Sequence, residues 1–203
     1  MKINLRQLGK KYNNEWIFKD ITLEFSLGNH CVILGGNGSG KSTLLQTISG
    51  FQIPSLGTVQ YTINGTDVSV ENIFKHISIA SPYLELIEDF TLQEIIDYQA
   101  RFKPFKEKNI VEIMQLEKAK NKAIKYYSSG MKQRVKLALA ILSKSPILLL
   151  DEPLSNIDKN GVEWYKNMIT DYSSNRIILV CSNNQKDEYE FCTDTLFIEN
   201  YKK

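Results

Sequence analysis

The chain has 203 residues, and 25 Lys and Arg against 23 Asp and Glu leave a net charge of +2. That length fits one domain, or one domain with an insertion, and is enough to bury a core without disulfide or metal staples. The charge balance excludes a basic nucleic-acid arm or an acidic disordered chain as the main identity, and no nucleic-acid partner is expected. Ile3, Leu5 and Leu8 open a strand, and Ile21, Leu23 and Phe25 alternate with polar residues as a half-buried strand does. His30 to Leu34 is a short apolar run ending in glycines, followed by a helix from about Gly40 to Ser49. Thr58 to Ile63 runs into the turn dipeptide Asn64-Gly65, and His76 to Ala80 reads as a further strand.

The middle of the chain changes character. Thr91 to Phe102 and Lys108 to Leu116 have apolar residues at helical spacing, with Pro104 between them, and no strand signal occurs from about 81 to 127. Alternation then resumes: a helix from Met131 to Leu142, a strand from Ile147 to Leu150, a helix from Lys159 to Tyr172. A strand from Arg176 to Cys181, a short helix from Gln185 to Phe191 and a strand from Thr195 to Ile198 close the chain. Buried strands separated by helices predict an α/β fold with a mostly parallel core sheet covered on both faces. Cys31, Cys181 and Cys192 have no framework spacing and read as reduced thiols, and no Cys/His cluster suggests a metal. Met1 to Leu5 lack a signal-peptide core, and no apolar run approaches the ~20 residues that span a bilayer.

Two motifs carry chemistry. Gly35-Gly36-Asn37-Gly38-Ser39-Gly40-Lys41-Ser42-Thr43 fits GxxxxGK[ST], a P-loop, between an apolar strand and a helix pattern. Glycines let successive N–H groups turn toward phosphate oxygens, Lys41 reaches the β- and γ-phosphates, and Ser42 is a Mg²⁺ ligand. A dinucleotide-type reading fails because no third Gly follows at the required spacing. Ile147 to Leu150 then delivers Asp151 and Glu152 to a strand end, Asp151 to hold Mg²⁺ through water and Glu152 to orient or deprotonate the attacking water. Together they indicate a P-loop NTPase with Mg²⁺ at its phosphates.

A third stretch narrows the class. Tyr127-Ser128-Ser129-Gly130-Met131-Lys132-Gln133-Arg134 resembles the LSGGQ signature of ATP-binding cassette (ABC) ATPases, and the motifs occur in that family's order over the whole chain. The resemblance implies an N-terminal antiparallel β region, a core formed by 1–80 and 128–203, and a helical subdomain at about 81–127. It also implies a head-to-tail dimer in which Ser128, Ser129, Gly130 and Met131 of one subunit close over the nucleotide of the other. Tyr12 resembles the family's adenine-stacking aromatic, with Trp16 and Phe18 as nearby competitors that read as core. Asp158, in Ser155-Asn156-Ile157-Asp158, matches the acidic residue of the family's D-loop.

Two positions depart from the pattern. Ser81-Pro82 stands where the family has a Gln, and Asn183 stands where it has a His; an Asn amide can bond phosphate but carries no charge. Both substitutions predict slow hydrolysis without loss of ATP binding. His30 and His76 read as structural. Lys103, Lys106, Lys108, Lys118, Lys120, Lys122 and Lys125 form either a basic face toward an anionic membrane surface or an ordinary solvated face whose charge Glu107, Glu112 and Glu117 partly offset. The resemblance implies the ATPase subunit of an ABC transporter, cytoplasmic and peripheral on the inner face of the membrane, driving a separate transmembrane permease. A soluble non-transport ABC ATPase and a slow-turnover nucleotide-binding regulator are the alternatives.

Overall fold

Alternating apolar residues at the start of the chain build an antiparallel ribbon. In the computed structural model, which describes residues 1–202, β1 (Lys2–Tyr12) pairs with β2 (Glu15–Ser26) along nearly its whole length. β4 (Leu56–Ile63) pairs on the other side of β1, and β5 (Thr66–Val68) returns beside β4, giving the order β2-β1-β4-β5. The return is made by Asn64 and Gly65 at φ 51° and 79°, the positive pair that a two-residue hairpin turn requires.

The second sheet is parallel. Its strands are β3 (His30–Leu34), β6 (Ile77–Ala80), β7 (Ile147–Asp151), β8 (Ile177–Ser182) and β9 (Asp194–Phe197), in the order β6-β7-β8-β3-β9. Every residue of β7 and β8 is buried, the physical reason for their unbroken apolar runs. Side chains alternate between two cores. Leu148, Leu150, Ile178 and Val180 face α5 (Ser129–Ile141) and α6 (Lys159–Tyr172), while Ile147, Leu149, Ile177 and Leu179 face α1 (Lys41–Ile48) and the antiparallel sheet. Each fully buried Leu or Ile contributes roughly 1.5–3 kcal/mol.

Between β5 and β6 lie one turn of α-helix, α2 (Val70–Ile73), and a 3₁₀ turn over Phe74–His76. Between β6 and α5 lie α3 (Leu92–Ala100) and α4 (Ile110–Ile113). Thr91 and Glu94 form a reciprocal capping box at the start of α3. The helix expected over Lys108–Leu116 shrinks to α4: its Asn109 cap makes no side-chain hydrogen bond, and Gln115 turns left-handed at φ 57°. The helix expected over Gln185–Phe191 reduces to one 3₁₀ turn, Lys186–Glu188, because the Glu188 side chain is drawn into the interior. The basic face is also smaller than the sequence suggests. Lys103 and Lys106 turn inward, donating to the main-chain oxygens of Ile77 and Tyr172, and burial pushes Lys106 down to about 8. Among the described residues no helix is long and apolar enough to cross a membrane.

Candidate nucleotide-binding site

Strand register sets the site. Leu34 at the end of β3 lies beside Ser182 of β8, and Cys181 lies beside Asp151 of β7, so three carboxyl ends finish level with one another. Such ends are where open α/β sheets bind ligands. The loop after β3 curls from Gly35 to Gly40 and enters α1, with Leu44 N–H donating to Gly40 O at 2.9 Å. Gly40 has φ 104°, and a Cβ there would lie 2.4 Å from Ile17, so glycine is required on two counts.

The buried Lys41 ammonium donates to Gly35 O at 2.8 Å and Gly36 O at 3.0 Å, folded back on its own loop. Ser42 Oγ donates to Asp151 Oδ1 at 3.1 Å, joining α1 to β7 across 109 residues. Asp151 is buried, and burial raises its carboxyl above the ordinary range against the hydroxyls of Ser42 and Ser81. Glu152 follows at φ 45°, an uncommon conformation for a non-glycine residue, with its N–H on Cys181 O at 2.9 Å. It lines a concavity of about 400 Å³ with Asn37, Gly38, Ser39, Gly40, Lys41, Ser42 and Thr43.

Three features of this site escape sequence reasoning. Ser81 Oγ lies 3.2 Å from Asp151 Oδ2, so the short hydroxyl at the Gln position does reach the acid. Glu199, beyond β9, accepts the Gly36 N–H at 2.9 Å, and that bond holds its carboxyl below the ordinary range. Glu188 ties the loop after Glu152 to the end of β8. These contacts span 70, 163 and 34 residues, and no local spacing announces them.

Ser128, Ser129, Gly130 and Met131 lie elsewhere. With Asn156 and Asp158 they line a different concavity of about 420 Å³ that shares no lining residue with the P-loop concavity. Ser128 caps α5 by accepting Met131 N–H at 3.3 Å, and Asp158 caps α6 by accepting Gly161 N–H at 2.8 Å. Tyr12, half exposed at the end of β1, is outside both concavities; its hydroxyl donates to Gln52 at 2.6 Å, and Gln52 donates to Gln46 on α1 at 2.6 Å. Phe18 is buried, but Trp16 is only half-buried, flanked by the ammonium groups of Lys11 and Lys19. Asn183 is exposed just past β8. His30 packs edge-on against Phe191, and His76 ends a 3₁₀ turn before β6.

Oxygen ligands suited to Mg²⁺ are present: the Ser42 hydroxyl and the Asp151 carboxylate meet at the mouth of the loop. Among the described residues no cluster of three or more His, Cys, Asp or Glu could hold a metal alone. The donor set therefore fits an ion completed by phosphate and water, the usual habit of Mg²⁺.

A parallel sheet with a P-loop at one strand end and an Asp-Glu pair two strands away defines a P-loop NTPase fold. Residues 18–155 match the family described as ABC transporter, and the chain belongs to that family. It is 30% identical over 208 residues to the tungstate uptake system ATP-binding protein TupC of Peptoclostridium acidaminophilum, covering 98% of this chain and 95% of that one. It is 34% identical over 168 residues to the spermidine/putrescine import ATP-binding protein PotA of Legionella pneumophila strain Lens; the match covers 77% of this chain but 44% of PotA. The chain thus spans less than half the length of the PotA proteins it matches. Among solved structures, an ATP-binding subunit of an ABC transporter superposes with a TM-score of 0.83 at 22% identity, over 98% of this chain and 86% of that one. A dimeric ATP-binding cassette bound to ADP and Pi gives a TM-score of 0.80 at 21% identity, over 97% and 94%.

Proposed function

We propose that the chain is the ATP-binding and ATP-hydrolysing subunit of an ABC transporter, a single cassette in which residues 81–127 form the helical subdomain. The observation that carries this reading is the Ser42–Asp151 contact at 3.1 Å, with Lys41 and Glu152 beside it. On binding ATP, the Lys41 ammonium exchanges the Gly35 and Gly36 carbonyls for the β- and γ-phosphates, and loop N–H groups take the phosphate oxygens. Ser42 and Asp151 would hold Mg²⁺, which when bound supplies charge neutralisation between the phosphates. Glu152 orients the attacking water and accepts its proton. Tyr12 stacks on the adenine.

Signature and P-loop concavities that share no residue support a head-to-tail dimer: Ser128, Ser129, Gly130, Met131 and Asp158 of each copy complete the site of the other. The test is Glu152→Gln, which removes the base and keeps the loop. It should bind ATP and shift to a dimer on size-exclusion chromatography. A variant that binds ATP yet stays monomeric at high concentration defeats the dimer reading, and full turnover in it defeats the role of Glu152.

The relatives named above are ATP-binding proteins of import or uptake systems, which supports a separate transmembrane permease as partner and a cytoplasmic position against the membrane. An apolar cleft of about 450 Å³ beside α3 exposes Phe74, Tyr98 and Phe102, a concentration of aromatic surface suited to a protein partner. Phe102→Asp should abolish co-purification with the permease while leaving ATP turnover of the isolated chain intact. One observation favours a slow basal rate: Asn183 brings no charge to the site, so Asn183→His tests the regulator alternative.

A further inference from the structure

Glu188 is 2% exposed, and none of the ion pairs among the described residues involves it. A carboxylate in that position is costly unless its oxygens are hydrogen-bonded. Both are. Oε1 accepts the Leu154 N–H at 3.1 Å, and Oε2 accepts the Ser182 hydroxyl at 2.5 Å. The Glu188 main-chain oxygen accepts the Tyr165 hydroxyl of α6 at 2.8 Å, so the residue is itself anchored. Ser182 Oγ also takes the Gln185 N–H at 3.2 Å, which bends the chain after Asn183.

The two partners are not arbitrary. Leu154 lies two residues after Glu152, and Ser182 lies one residue before Asn183. Glu152 sits in the left-handed region at φ 45°, a conformation that is strained for a non-glycine residue and persists only where its surroundings hold it. One hold is its own N–H on Cys181 O at 2.9 Å, and another is Ser155 N–H on Glu152 O at 3.1 Å. The bond from Glu188 to Leu154 sits between them and closes the turn.

We propose that Glu188 is a positioning residue that fastens the loop after Glu152 to the end of β8, so that Glu152 and Asn183 are presented to the γ-phosphate as one unit. Glu188 lines neither the P-loop concavity nor the signature concavity. It acts through Glu152, and the proposal therefore rests on the reading of Glu152 as the base. Glutamine is a faithful replacement: its carbonyl oxygen still accepts Leu154 N–H, and its amide can donate to Ser182 Oγ. Alanine removes both fastenings.

The test uses the full chain as wild type, Glu188→Ala, Glu188→Gln and Ser182→Ala. ATP affinity, kcat and amide hydrogen exchange of segment 152–158 are measured on each. Glu188→Ala should lose ~10–100-fold in kcat, the scale of a misplaced catalytic group, with ATP affinity unchanged because the P-loop is untouched. Its 152–158 amides should exchange faster, and Glu188→Gln should restore both. Equal losses in kcat and ATP affinity, or equal losses in the Ala and Gln variants, overturn the proposal. If Glu188→Ala does not fold, Ser182→Ala cuts only the β8 fastening and should slow turnover while leaving affinity intact; wild-type turnover there overturns the proposal. If the wild type itself shows no turnover, the reading of Glu152 fails separately, and unchanged exchange in Glu188→Ala or Ser182→Ala still overturns the fastening.

Discussion

Gly130→Ala separates folding from function at one methyl group. Gly130 is the second residue of α5 after the Ser128 cap, where alanine gains up to about 1 kcal/mol of helix propensity, less in a first turn than in a helix interior. Its Cβ would lie 2.9 Å from Asn156 O, while relaxed C···O contacts are about 3.3 Å or longer, so the two must part by about 0.4 Å. The helix is held by its core, so the loop must move. That loop is pinned by Ile157 N–H on Leu154 O at 3.1 Å and by Gln133 on Pro153 O at 2.9 Å, and weakening one such bond costs ~0.5–1.5 kcal/mol. Gain and loss nearly cancel, and the expected change in unfolding free energy by urea titration is within about 1 kcal/mol. Turnover should fall by ~10–100-fold, because Gly130, Asn156 and Asp158 line one concavity and the displacement alters its shape. ATP binding to the separate P-loop concavity should be unchanged. Turnover within twofold of wild type, or a stability loss beyond about 2 kcal/mol, would refute the reasoning.

Ser81→Ala strips one of the two hydroxyls from buried Asp151 and should raise the Mg²⁺ concentration needed for half-maximal turnover, read by Mg²⁺ titration at saturating ATP. Asn183→His should raise kcat with little change in ATP affinity; unchanged or lower kcat removes Asn183 as a handicap, and adding Pro82→Gln checks whether that position is the barrier. Glu188 supplies a pH signature. Burial lifts its folded carboxyl above the ordinary value, so the folded chain keeps a proton that the unfolded chain has lost, and its contribution to stability declines as pH rises through that window. Glu188→Gln has no such loss, so its urea midpoint relative to wild type should move upward as pH rises above the ordinary glutamate range. A constant difference over that rise contradicts the assignment.

Much of the fold is readable from local pattern. The unbroken apolar runs of β3, β7 and β8 announce buried parallel strands because neither face meets water. The P-loop, the Asp-Glu pair and the Ser-Ser-Gly stretch are contiguous, so chain order alone reveals them. What escapes is set by distance in sequence. Nothing near Ser81 shows that β6 will bring its hydroxyl to Asp151, and nothing near Glu199 points to Gly36. The segment from Gln185 to Phe191 reads as a short helix between two strands, yet it keeps only one 3₁₀ turn around the buried Glu188 side chain. Lys103 and Lys106 look like surface charge, but helix and strand ends nearby offer carbonyls that draw them in. The family resemblance picks out Tyr12, while its tether through Gln52 to α1 appears only once the loop after α1 is folded.

β3, which carries the P-loop, has two neighbours in its sheet, β8 and β9, and both come from residues 177–197, far downstream of it. A ribosome releases the loop long before anything exists to flank it. Until residues 177–197 emerge, the strand has two bare edges and Gly36 has no Glu199 to meet its N–H. Nucleotide cannot stabilise an early folding intermediate through a strand that is not yet in place, so it acts as a late clamp, effective only after β8 and β9 have paired with β3. Pairings of such long separation are slow to form, and a nascent chain stalled before residue 177 presents an apolar strand with open edges, the state most exposed to aggregation.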